Sequence, residues 1–224
     1  RAMEADSLCV IANVAIHQGR PADALAAAAA AQEISRSIGN TWGQASSALP
    51  LTLALLETGD TAGALRAAED GARLARGEGL SPPMLVFSLA RLGAAQRAAG
   101  SLDAAITTHE EALALCADPG MRWWFAEMIA AELCADYVRR GDWPAAAGYA
   151  ERALAGNDGT LPFIALLFPE LVKALARSGA VAHAAAVTRA FGQRARDNPR
   201  YHRAYKAARA EVERPVATNS LAAP

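Results

Sequence analysis

Residues 89–119, LARLGAAQRAAGSLDAAITTHEEALALCADP, read as two helices joined at Gly100. Leu89, Leu92, Gly93 and Gln96 fall on one face of the first, at the three- and four-residue spacing of an amphipathic helix. Ala105, His109 and Ala112 take the matching places on the second. Glycine ends the first helix because it accepts left-handed backbone, and Ser101 is suited to start the next. Small residues on the facing sides let an antiparallel pair approach closely.

The pattern recurs along the chain. Glycine interrupts polar breaks at Gly19, Gly59, Gly100, Gly141 and Gly179, at intervals of 40, 41, 41 and 38 residues. Five residues after each comes alanine: Ala24, Ala64, Ala105, Ala146 and Ala184. Eight before each comes a large aliphatic: Ile11, Leu51, Leu92, Leu133 and Leu171. Seven before, the residue is small in four of five copies: Ala12, Thr52, Gly93 and Cys134, with Val172 the exception. Twelve after, Ala31, Gly71, Ala112 and Ala153 are small, and Phe191 departs. A register kept five times is a stack of supersecondary units, each burying its face on the next.

The chain is therefore expected to be an all-α, right-handed α-solenoid of five helix pairs with a C-terminal capping helix. The pairs are predicted at about 3–37, 42–76, 82–117, 121–155 and 161–196. A basic capping helix follows at 199–213, and 214–224 reads as a tail or linker, so 1–213 form one repeat domain. Pro50 and Pro169 fall inside predicted first helices, where an interior proline costs about 3 kcal/mol unless the helix kinks. Those two helices are expected to bend or start late.

With this aliphatic, small residue, glycine and alanine series, residues 3–196 resemble a tetratricopeptide repeat (TPR) protein. The period near 40 is similar to that of the helical arms of large bacterial signalling proteins, such as maltose-regulator-like LuxR activators and ATPase-coupled regulators. The resemblance implies a concave surface formed by the first helix of each pair. It places Asp6, Asn13, His17, Ser46, Glu57, Arg97, Arg139, Lys173 and Arg177 toward that surface. The partner-binding candidates are Asn13, Arg91, Arg97, Arg139, Lys173 and Arg177, a set that is basic in the later pairs and suits an anionic partner. The blander reading is that Arg97, Arg139 and Arg177 solvate helix ends, where cations also favour the helix C-terminus. Trp123, Trp124 and Phe125 form the densest aromatic run. They are read as packing between pairs, with contact to a partner as the alternative.

Composition narrows the function. The 224 residues carry a net charge of −1, which gives no global drive toward nucleic acid or acidic lipid. Residues 189–214 are locally basic, with eight arginines and lysines against three acids. Without a base-reading motif, direct nucleic-acid binding is not expected there. No phosphate loop, dinucleotide fingerprint, nucleophile elbow or HExxH motif occurs. His17, His109, His183 and His202 are scattered, so neither catalysis nor a metal or cofactor is expected. Three cysteines without CxxC spacing fit a reducing compartment, and the chain is read as cytoplasmic. It opens with Arg1, which reads as a piece excised from a longer protein. The function expected is a non-catalytic protein–protein interaction scaffold, an arm of a larger bacterial regulator. Its partner would be a protein, a peptide or another domain of the same parent, with a homodimer also open. The alternative is a small-molecule sensor with its ligand inside the superhelix.

Overall fold

A computed structural model describes residues 1–77, 79–118, 120, 123–155 and 162–214, the side chains of Trp123, Trp124, Pro162 and Phe163 excepted. It contains helices and no strand among the described residues. The first pair is α1 (Ala2–His17) and α2 (Pro21–Ser37), and the second is α3 (Thr41–Thr58) and α4 (Thr61–Ala75). The third is α5 (Pro82–Ala98) and α6 (Leu102–Leu115), and the fourth is α7 (Trp123–Arg140) and α8 (Trp143–Leu154). The fifth pair consists of α9 (Pro162–Ala165), α10 (Phe168–Arg177) and α11 (Val181–Arg194), and α12 (Pro199–Glu213) follows. Trp143 closes on the fifth pair, its ring 6.0 Å under the Arg177 guanidinium.

All five turn glycines have positive φ, from 72° to 95°. In each turn the residue after glycine donates its N–H to the carbonyl four residues before the glycine, as Ser101 does to Gln96 at 2.9 Å. This bond satisfies a carbonyl that the helix end would otherwise leave open. Asp60 and Asp142 then cap the following helices by accepting from Gly63 and Ala145 N–H. The alanine five residues after each glycine is fully buried in every pair. The packing rule read from the sequence is thus the one the backbone uses.

Proline acts differently at its two interior sites. α3 runs through Pro50, which is buried. The predicted helix over 161–178 is instead broken at Leu166–Leu167, and Pro169 sits in the first turn of α10, where its missing N–H costs nothing. α10 is consequently short. Phe168 at its start stacks on Phe191 with ring centroids 4.1 Å apart. This is the physical reason Phe191 replaces the small residue twelve after the glycine: a ring fills the space beside the shortened helix.

α12 packs on α10 and α11 and also reaches back to the first two pairs. Arg200 donates to the Ile16 carbonyl and to Glu57 Oε1, the latter at 2.5 Å. The Tyr201 hydroxyl lies 3.3 Å from His17 Nδ1. The array therefore curls until its last helix touches its first.

Candidate functional site

The inside of this curl is a cleft of about 890 Å³. Positions six, three and two before the turn glycine line it in three successive pairs. These are Leu53, Leu56 and Glu57; Ala94, Arg97 and Ala98; and Ala135, Val138 and Arg139. The position nine before adds Arg91, Glu132 and Glu170, and Lys173 and α12 complete the wall with Arg200 and Arg203. Asn13 and Arg177 do not line it. Asn13 is exposed and donates to the Cys9 carbonyl, and Arg177 is engaged with Trp143.

The cations of the cleft divide into two groups. Arg91 and Arg97 belong to a buried network. Arg97 binds Glu132 Oε2 at 2.7 Å and Asp136 Oδ1 at 2.8 Å, and Arg91 lies 3.8 Å from Glu132. The second oxygen of Asp136 is 2.6 Å from His109 Nδ1, and His109 Nε2 is 3.2 Å from the Ala90 carbonyl. Five side chains from α5, α6 and α7 are thereby tied together. Burial opposes charge on Glu132, yet Arg97, Arg91 and His109 outweigh it and hold its carboxyl below the usual range. Burial also opposes charge on Arg97, and Glu132 and Asp136 reverse that effect and raise its pKa. At Arg91 burial wins over Glu132, aided by repulsion from Arg97, and the pKa falls from its ordinary high value. Arg97, Glu132, Asp136 and His109 are structural as they stand, because they hydrogen-bond one another, whereas Arg91 joins them through the ion pair with Glu132 alone.

The second group is Arg139, Lys173 and Arg203. They line the same cleft from α7, α10 and α12, and none has a carboxylate within ion-pair distance among the described residues. Arg200 is matched by Glu57, leaving Glu170 as the acid of the cleft without an ion pair. Like charges sharing a concave wall repel, and field lines focus in such a cleft. An anionic group entering it relieves that repulsion.

The aromatic run resolves only in part. Phe125 is buried, edge-on to Phe87 at 5.1 Å, so it is packing between pairs and not a contact surface. The side chains of Trp123 and Trp124 lie outside the described residues. Burial raises the thiols of all three cysteines, Cys9 among them. Burial pushes the Cys116 thiol up to about 11 and raises Cys134 further, so both are protonated thiols near neutral pH. Among the described residues no three His, Cys, Asp or Glu side chains gather as metal ligands. None of the described helices is long and apolar enough to cross a membrane.

Position relative to the turn directs Glu57, Arg97, Arg139 and Lys173 toward this surface, but it does not reveal the acids that neutralise Arg97, nor α12 as a wall. A signal was present: the column nine before the glycine runs Val10, Pro50, Arg91, Glu132 and Glu170, changing from apolar to charged at the third pair.

The sequence matches no protein-family profile and no curated protein. Its structure is similar to that of a Rap protein complexed with competence and sporulation factor, with TM-score 0.62, 14% identity, and 94% of this chain covering 65% of that one. It is also similar to a signal transduction ATPase with numerous domains from Pyrococcus horikoshii that carries a tetratricopeptide repeat sensor. There the TM-score is 0.62, identity 17%, and 94% of this chain covers 33% of that one. A third likeness is a putative kinesin light chain of Podosopora anserina with nearly identical TPR-like repeats, at TM-score 0.56, 19% identity, and 96% and 99% coverage. This chain thus spans under two thirds of the first protein and a third of the second. The fold is that of a tetratricopeptide-type array.

Proposed function

We propose that this chain is a non-catalytic recognition module whose cleft receives an acidic peptide segment of a protein partner. The observation that carries the reading is the cleft of about 890 Å³ whose wall holds Arg139, Lys173 and Arg203 without carboxylate partners. The ion network behind it keeps α5, α6 and α7 in fixed relation, so binding needs little ordering. The proposal includes a place in a larger bacterial regulator in the cytoplasm. The sensor-bearing ATPase among the similar structures and the three free cysteines support it.

The test is fluorescence anisotropy with labelled peptides rich in Asp and Glu, at low and high salt. The triple variant R139E/K173E/R203E is expected to bind at least about tenfold more weakly in low salt, because three favourable charges become repulsive. Its melting temperature is expected to stay near that of the parent. Equal affinity of parent and variant would remove these side chains from the site.

One observation favours a second reading. Closure of the curl by α12 gives the cleft a volume within the range of small-molecule pockets, about 300–1,000 Å³. An anionic metabolite that raises the melting temperature of the parent but not of the triple variant would select the sensor over the peptide reader.

A further inference from the structure

The α1 helix exposes an apolar seam that the array's own register marks as an interface. Met3, Val10, Ile11 and Val14 are 82%, 62%, 52% and 46% exposed, and Ser7 between them is exposed too. No charged residue occurs from Ser7 to Ile16. The Ser7 hydroxyl donates to the Met3 carbonyl at 2.9 Å, so the seam presents no unmet donor there.

The same five positions can be followed through the stack. In the second pair they are Gly43, Ser47, Pro50, Leu51 and Ala54, all buried. In the third they are Met84, Ser88, Arg91, Leu92 and Ala95, again all buried. In the fourth they are Phe125, Ile129, Glu132, Leu133 and Asp136, and these too are buried. What covers them is the preceding pair. Leu51 clusters with Ala12, Ala27 and Ala28, and Leu92 clusters with Ala64, Ala68 and Ala72. Met84, which matches Met3 in both position and residue type, clusters with Ala45 and Ala75. Among the described residues of the first four pairs, the seam is bare on α1 alone.

We propose that the α1 seam is the seat of a further antiparallel helix pair, of this array's own type, whose second helix presents alanines at four-residue spacing. The occupant continues the interface already formed between successive pairs, with Ile11 entering the alanine-lined gap as Leu51 and Leu92 do. This surface is separate from the cleft and stands whatever the cleft binds.

The experiment is a chain lengthened at its N-terminus by a second copy of residues 1–40, which reproduces the Asn40–Thr41 junction as Asn40–Arg1. The added pair is expected to raise the melting temperature by about 5 °C, since each stacked repeat contributes an interface. Amide exchange over residues 3–14 of the original α1 is expected to slow at least about tenfold. I11E in the original α1 should cancel both gains in the lengthened chain. In the unlengthened chain, where Ile11 meets solvent, the same change should leave the melting temperature unaltered. The proposal is overturned by unchanged melting and exchange on lengthening, or by loss of helicity per residue in circular dichroism. It is overturned equally by a concentration-dependent dimer of the unlengthened chain that I11E dissociates, which would make a second copy the occupant.

Discussion

The second and fourth pairs receive their predecessors through the same five positions with opposite chemistry. α3 offers Gly43, Ser47, Pro50, Leu51 and Ala54, a shallow and uncharged face. α7 offers Phe125, Ile129, Glu132, Leu133 and Asp136, three large apolar groups interleaved with two buried acids. The register is kept, and Leu51 and Leu133 fill equivalent gaps. Stacking therefore needs only the aliphatic and the small residues around it. The remaining seam positions are free to carry charge, provided the preceding pair supplies the counter-charge. In this chain Arg97 supplies it, and the consequence reaches the cleft wall.

The comparison is broken most severely by R97A. Removing one partner leaves Glu132 and Asp136 buried without their principal cation, a situation that costs about 3–5 kcal/mol. The loss is expected as a lower midpoint in urea unfolding. Its counterpart in the second pair is Leu56, and L56A, which strands no charge, is expected to cost less than R97A. Equal costs for the two variants would show the network to be idle. A variant in which Arg97, Glu132 and Asp136 are all replaced by leucine or methionine should recover most of the loss, because well-packed apolar groups replace buried ion pairs at little or no cost.

A second contrast concerns size. Nine residues after the turn glycine, the pairs carry Ala28, Ala68, His109, Ala150 and Thr188. Where His109 is largest, its neighbour seven before the glycine is smallest, and a Cβ added to Gly93 would stand 2.3 Å from His109 Nε2. The imidazole occupies the volume the other pairs give to a side chain on the first helix. G93A is therefore expected to cost about 1–3 kcal/mol by overpacking. The double variant G93A/H109A should cost less than the sum of the two single changes, since each relieves part of the other's defect. Additive costs would mean that the two positions are not coupled through this contact.

The stack was legible because its determinants are local and repeated: a glycine with positive φ, an alanine five residues on, an aliphatic eight before. Each is a backbone or volume requirement that a single sequence states directly. The cleft was less legible. Arg97, Arg139 and Lys173 were found because position relative to the turn dictates which face a side chain takes. The pairing of Arg97 with Glu132 and Asp136 spans 35 and 39 residues and depends on how one pair sits on the next. Closure by α12 depends on the accumulated curvature of five pairs, which no short stretch records. Arg200 accordingly read as one more charge in a basic segment and not as the residue that joins the two ends. The broken fifth pair was half-legible: Pro169 announced an interruption, and Phe191 recorded the space it left.

The closure offers the gentlest test of the same contrast, since α12 meets the first pair through the half-buried His17 and Tyr201 and one buried arginine, Arg200, and not through a network of buried acids. His17 is packed edge-on to Tyr201 with centroids 6.1 Å apart. Burial, then the cationic Arg200 and Arg91, push its pKa below the ordinary 6.5. A histidine whose folded pKa is depressed binds fewer protons folded than unfolded between the two values. Its contribution is thus fully present above pH 6.5 and is lost as the pH falls from there through the folded value. Hydrogen exchange over residues 199–213, corrected for intrinsic rates, is expected to be faster near pH 5 than at 7.5, while α5 and α7 remain protected. Glu132, held below the usual carboxylate range, keeps that network intact across the same window. H17Q should abolish the pH dependence and leave α12 docked through Arg200. If exchange in α12 follows the same pH profile in H17Q as in the parent, the titrating group at the closure is not His17.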